Sequence, residues 1–263
     1  MKFDIDTYKR RTAKLDDADI DFDAFRDKPL DETTLRCLRY THDVEHHTVC
    51  YLRDLLVTRA HHDPEITTFL TFWAYEEFWH GEAIGKVLQA HGETAGRARV
   101  AATRAHHRIK SALSPHVSAL VSSFAENFTA VHMTWGAVNE WTTQAGYVRL
   151  AQRAQNATLS QLLERITKQE GRHIDFYASQ ASSRLASSVA AQRLTRFALA
   201  HLWAPVGSGV MPRTEVNHLV RVLFDDTDGR RMAARIDQRI EALPGLGGLH
   251  LISDRIDRYA NAA

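Results

Sequence analysis

The chain is predicted to be all-α: a four-helix bundle with additional helices at its carboxyl-terminal end. Three observations predict this. Apolar residues recur at helical spacing through four long stretches, no segment makes a defensible strand, and most of the 6 Pro and 13 Gly fall at the ends of those stretches. At 263 residues and 44% hydrophobic content, the chain can bury a sizeable core as one domain, 1–263.

Residues 1–30 are charged and weakly periodic, and read as an amino-terminal arm or a short peripheral segment. Four long helices follow at about 32–60, 64–91, 116–153 and 158–185, making the bundle 32–185. In the first, Leu38, Glu45, Val49, Leu52 and Leu56 share a stripe. The second opens at Asp63-Pro64-Glu65, an N-cap followed by proline at the first helical position and an acid in the first turn. Its stripe runs Ile66, Phe69, Leu70, Trp73, Glu77, His80, Ile84, Val87, Leu88. The third carries Met133, Gly136, Ala137, Glu140, Thr143 and Tyr147 on one face. Asn156-Ala157-Thr158 marks the turn into the fourth, where Leu163, Ile166, Glu170, His173, Ile174 and Tyr177 align. Between the second and third helices lies a basic stretch, Arg97 to Lys110, read as a solvated connection or as a docking surface for an acidic carrier or anionic substrate. Beyond 186, shorter helices at Ala191–Leu202, Arg213–Asp225, Gly229–Leu243 and Leu251–Tyr259 are expected to cover the bundle.

A formal charge of +1 disfavours nucleic acid as a bulk partner no more than it favours it, but the wide positive surface expected of a nucleic-acid binder is lacking. There is no apolar run of membrane length, so membrane insertion is not expected. The start lacks the apolar stretch of a signal peptide, and Cys37 and Cys50 stand thirteen residues apart on one expected helix, too far to bridge. A cytoplasmic protein with free thiols is the expectation.

Four apolar stripes that carry carboxylates need an explanation, because a buried charge is costly unless it is paired. Glu45, then Glu77 with His80, then Glu140, then Glu170 with His173 give one Glu from each of two helices and Glu-x-x-His from each of the other two. That is the ligand pattern of a carboxylate-bridged di-iron centre in a helical bundle. Three residues on a helix nearly complete a turn, so each Glu and its His project together. The spacings of 32 residues from Glu45 to Glu77 and 30 from Glu140 to Glu170 suggest one antiparallel hairpin built twice. Four carboxylates also neutralise two ferrous ions. Two iron ions (Fe2+/Fe3+) are therefore expected, and manganese or a mixed manganese–iron pair is compatible with the same donors.

These motifs resemble the soluble acyl-carrier-protein desaturases, members of the ferritin-like di-iron carboxylate proteins. Glu76-Glu77-Phe78-Trp79-His80-Gly81 is similar to that family's Glu-Glu-x-x-His, Glu140-Trp141-Thr142-Thr143 to its Glu-x-x-Thr, and Gln169-Glu170-Gly171-Arg172-His173 to its Asp-Glu-x-Arg-His. Leu251 to Ile256 is similar to the carboxyl-terminal end of actinobacterial members. The resemblance covers residues 35–185 well and the rest in patches. It implies that Glu77 and Glu170 bridge the irons, that Glu45 and Glu140 are terminal ligands, and that His80 and His173 bind one iron each. It also implies a catalytic role for the Thr143 hydroxyl beside the oxygen site. Two departures stand out: Gln169 replaces the usual Asp, and Trp79 an Arg often found there.

The activity implied is O2-dependent desaturation or hydroxylation of an apolar, acyl-type substrate, with an electron donor such as ferredoxin. An acyl carrier protein or a small apolar substrate would be the partner, and a homodimer is compatible. Phe69, Trp73, Met133, Ala137 and Ile166 are the expected channel walls, or else ordinary core. Gln169 is expected to support a ligand by a hydrogen bond, and His42, three residues before Glu45, to do the same or to be a core histidine rather than a seventh metal ligand, with His46 and His47 nearer the flank or surface. Other readings are a di-iron oxygenase of a small metabolite, an N-oxygenase, and a ferritin-like metal-binding module without enzymatic activity. An N-oxygenase would have a third His where Ile166 stands.

Overall fold

The computed structural model describes residues 3–106, 108–124 and 127–260. Among these residues all regular structure is helical, which makes the fold all-α. No described helix is long and apolar enough to cross a membrane. The chain divides into two compact units.

The first unit comprises 4–125 and 150–169. It opens with α1 (Ile5–Arg11) and α2 (Ala24–Asp27), so the arm folds rather than trailing as a charged strand of coil. Tyr8, Leu15, Ile20 and Phe25 are buried at intervals too irregular to register as a stripe. Polar bonds fasten the same segment: Lys86 to Asp17 at 2.5 Å, and the Arg165 guanidinium to both carboxylate oxygens of Asp19 at 2.5 and 2.7 Å. Asp31 accepts from the Thr34 amide and starts α3 (Glu32–Leu56). A 3-10 turn, Arg59–His62, then returns the chain into α4 (Pro64–Ala90). Asp63 caps α4 through the amides of Glu65 and Ile66, with Pro64 in the first turn, where its missing N–H costs nothing.

The stripe expected on α4 is buried from Ile66 to Leu88, whereas Val49 and Leu56 of α3 are exposed. Leu56 is the last residue of its helix, and Val49 borders a cavity described below. After α4 come α5 (Arg97–His106) and α6 (Arg108–Phe124). His107 of the basic stretch lies outside the described residues.

The single helix expected over 116–153 is two helices, α6 and α7 (Phe128–Ala154). Asn127, a residue type favoured at helix starts, stands before α7, and its carbonyl accepts from the amides of Ala130 and Val131. Hydrophobic periodicity does not register such a restart. α7 and α8 (Ala157–Ala186) contribute residues to both units.

The second unit comprises 1–3, 126–149 and 170–263, of which 1, 2, 126 and 261–263 lie outside the described residues. Its further helices are α9 (Val189–Leu202), α10 (Arg213–Phe224), α11 (Thr227–Glu241) and α12 (Leu251–Ala260), each within two residues of expectation. Asp226 caps α11 through the Gly229 amide and also pairs with the buried Arg149 of α7. Asp237 accepts from the amides of Ile252 and Ser253 at 2.7 and 3.0 Å, satisfying donors at the start of α12. Trp203, just past α9, is buried and donates from its indole nitrogen to the Asn139 carbonyl oxygen of the side chain at 3.1 Å. That bond fixes α7 at the residue preceding Glu140.

Candidate metal centre

In the first unit, α3 supplies Glu45 and α4 supplies Glu77 and His80, all buried. Each offers a ligand atom, and these lie within 4.8 Å of one another. In the second unit Glu140 from α7, with Glu170 and His173 from α8, does the same within the same limit. Two ligands of one ion, each about 2.1 Å from it, stand at most about 4.2 Å apart, so both groups are close to coordination size before any relaxation. His80 and His173 are both 0% exposed, and none of the four carboxylates exceeds 6%.

The orientation of His80 follows from its surroundings. Gln169 donates from Nε2 to the Ala13 carbonyl at 3.1 Å, which turns its amide oxygen toward His80. That oxygen accepts from His80 Nε2 at 2.9 Å. The neutral imidazole therefore carries its proton on Nε2, leaving the Nδ1 lone pair 3.8 Å from Glu77 Oε2, on the side of the carboxylates. In the other group His173 Nδ1 lies 3.0 Å from Glu170 Oε2 and 3.9 Å from Glu140 Oε2. Thus Nδ1 is the nitrogen facing the carboxylates in each group.

The amino-terminal segment, read from sequence as an arm, supports the first group in two ways. Besides the Ala13 carbonyl, Tyr8 donates its hydroxyl to Oε2 of the fully buried Glu76, the neighbour of Glu77. No spacing signal could have revealed either contact, because one partner is a main-chain atom and the other lies 68 residues away.

His42 is engaged away from the carboxylates. The Gly96 amide donates to its Nε2 at 3.1 Å, so the proton is on Nδ1, which donates to Asp43 at 3.1 Å. Arg99 then forks onto both oxygens of Asp43 at 2.6 Å each. Burial raises the Asp43 carboxyl pKa, but the bonds from His42 and Arg99 outweigh it and hold it below the usual range. This chain of bonds pins the beginning of α5 onto α3.

His46 departs from expectation: it is buried rather than turned to the flank. Its ring packs at 4.6 Å from His42 and 5.6 Å from Phe78, and lies against Gly81, where an added Cβ would come within 2.9 Å of it. Burial, reinforced by the positive charge of Arg104, pushes its pKa down to about 4, so it is neutral near pH 7.

The residues expected to wall a channel are all buried. Phe69 packs on Tyr8 and Trp73 with ring centroids 5.3 and 6.5 Å apart, and Trp73 meets Tyr51 at 6.0 Å. Met133, Ala137 and Ile166 are fully buried too, and Thr143, one turn beyond Glu140 on α7, is half-buried. A cavity of about 520 Å³ instead reaches Glu45 from the side of α5, bordered by His46, Val49, Phe78, Arg97 and Arg104. Comparison with family models, curated proteins and solved structures yields no match for this chain.

Proposed function

We propose that the chain is a ferritin-like di-iron oxidoreductase that activates O2 to desaturate or hydroxylate an apolar substrate. The observation that carries this reading is the pair of buried Glu/Glu/His groups. Two carboxylates and one neutral imidazole bring a charge that one divalent cation neutralises, and a group so deeply buried is costly without that compensation. The donor set of carboxylate oxygens and imidazole nitrogens suits iron or manganese rather than a soft, thiolate-seeking ion. Resemblance to the desaturases supplies the pairing: Glu77 and Glu170 as shared carboxylates, Glu45 and Glu140 as terminal ones, His80 and His173 as one nitrogen each.

When bound, reduced iron would supply the electrons that turn O2 into an oxidant able to attack an unactivated C–H bond. The chain's own residues do the rest. Gln169 holds the His80 ring with Nδ1 forward and removes the tautomer that would place a proton there. The packed rings of Phe69 and Trp73 keep bulk water from this side of the group. The Thr143 hydroxyl, one turn from Glu140, would hydrogen-bond oxygen species, and a ferredoxin-type protein would deliver electrons.

Anaerobic loading with ferrous ion, followed by metal analysis and O2 uptake, tests the proposal. Two irons per chain are expected, with O2 consumed on exposure to air. Glu77→Ala and Glu170→Ala should each lose both irons more readily than Glu45→Ala or Glu140→Ala. One iron or none in the wild-type chain would sink the reading. Two irons without O2 consumption would leave a metal-binding module.

A further inference from the structure

We infer that the cavity beside Glu45 binds a small monoanionic molecule with an apolar body, its carboxylate held by Arg97 and Arg104 and its apolar end directed toward Glu45. The inference rests on the di-iron reading for the identity of the reacting end. It rests on that reading as well for the neutralisation of Glu45, since the lining otherwise balances two guanidinium groups against two carboxylates.

The walls come from three helices of one unit: Glu45, His46 and Val49 from α3, Phe78 and Glu82 from α4, and Arg97, Val100 and Arg104 from α5. Arg97, Val100 and Arg104 stand at i, i+3 and i+7, so one face of α5 presents two guanidinium groups flanking an apolar residue. At about 520 Å³ the space matches cavities that hold single metabolites. Val49 and Phe78 are 48% and 46% exposed, and both border this space. An apolar ligand body would cover them.

The charges select the ligand. With Glu45 committed to metal, the ionic lining is Arg97 and Arg104 against Glu82, whose carboxylate lies 3.5 Å from His46 Nε2. One positive charge is left over, which suits a monoanion and disfavours a dianionic phosphate ester. Arg104 spends one N–H on the His46 carbonyl at 3.3 Å, and a guanidinium has five to offer. A planar guanidinium fork matches a carboxylate through paired hydrogen bonds.

The third arginine of α5 argues against the alternative of an acidic carrier protein docking on a broad basic face. Arg99 is turned inward onto Asp43, so the arginines of this helix do not form one outward patch. Two line the cavity and one anchors the helix.

Calorimetric titration of the full chain, loaded anaerobically with ferrous ion, would compare decanoate with its neutral isostere decanamide. Decanoate should bind at one site, about tenfold or more tighter than decanamide. Replacing both exposed arginines, Arg97→Gln with Arg104→Gln, should abolish that preference without changing the metal content. Ala74→Leu, which fills the cavity wall, should weaken both ligands. Equal binding of the two probes, or a preference that survives the double variant, would overturn the inference. A chain that holds two irons but shows no preference leaves the di-iron reading standing. A chain that prefers decanoate yet takes up no iron keeps the anion site and removes the assignment of Glu45 to the reacting end.

Discussion

Around His80 the supporting contacts include hydrogen bonds borrowed from the amino-terminal segment, whereas around Glu140 and His173 they include a tightly packed ring and an indole hydrogen bond. His80 leans on Gln169 and through it on Ala13, and Glu76 beside Glu77 takes the Tyr8 hydroxyl. On the other side Tyr177, one turn beyond His173, lies against Gly136, one turn before Glu140, while Trp203 ties Asn139. The same three residue types thus draw on polar direction in one case and on volume as well as a hydrogen bond in the other. Direction can be altered by changing one acceptor, while volume resists until something no longer fits. The first group also borders a cavity through Glu45.

The largest effect belongs to the tightly packed side. His132 on α7 is buried, and burial pushes its pKa down to about 3 from an ordinary 6.5. Because the folded value is depressed, stability is complete above about pH 6.5 and is lost progressively as pH falls toward 3, where the unfolded chain binds a proton the folded one refuses. The loss is on the order of 5 kcal/mol at most. Urea denaturation at pH 7, 5 and 4 should show it, and His132→Leu should flatten the profile. An unchanged acid slope in that variant would mean that His132 is not held neutral.

Next comes Gly136→Ala. The added Cβ would sit 2.3 Å from the ring of Tyr177, itself fully buried, so either the ring or α7 must move. A loss of about 1–3 kcal/mol in thermal or urea unfolding is expected. Tyr177→Val in the same chain should recover part of it. If Gly136→Ala is silent by itself, packing does not hold this side as described.

The smallest effect, and the most local, is expected at Gln169→Leu. His80 Nε2–H would lose its acceptor, and metal affinity at the first group should fall about ten- to hundredfold. The second group should change little, so a metal titration would resolve two unequal steps. Equal weakening of both would erase the contrast drawn above.

Much of this architecture is legible in the chain because helical period and capping chemistry are local. Asp63-Pro64 announces the start of α4, and Glu77 with His80, or Glu170 with His173, needs only one helical turn to come together. The six positions singled out by that spacing are the ones that make up the buried Glu/His groups. Other features are not local. Tyr8 and Ala13 reach residues 68 and 156 positions away, and burial of the arm depends on Leu15, Ile20 and Phe25, spaced without a period. The restart at Asn127 hides inside a stretch that is apolar on both sides. His46 looked peripheral because its angle on α3 differs from that of Glu45, yet the pinned beginning of α5 covers that flank as well. The cavity is a property of where helices fail to touch, and no single stripe encodes it.

The support of Gln169 by the carbonyl of Ala13 has a genetic consequence. A main-chain oxygen is supplied by whichever amino acid occupies position 13, so side-chain replacement there would leave the bond to Gln169 in place. A survey of point substitutions would score that position as indifferent and miss its contribution to His80. Deleting or inserting a residue between Tyr8 and Leu15 would expose it, because the register of the backbone, rather than any side chain, carries the information.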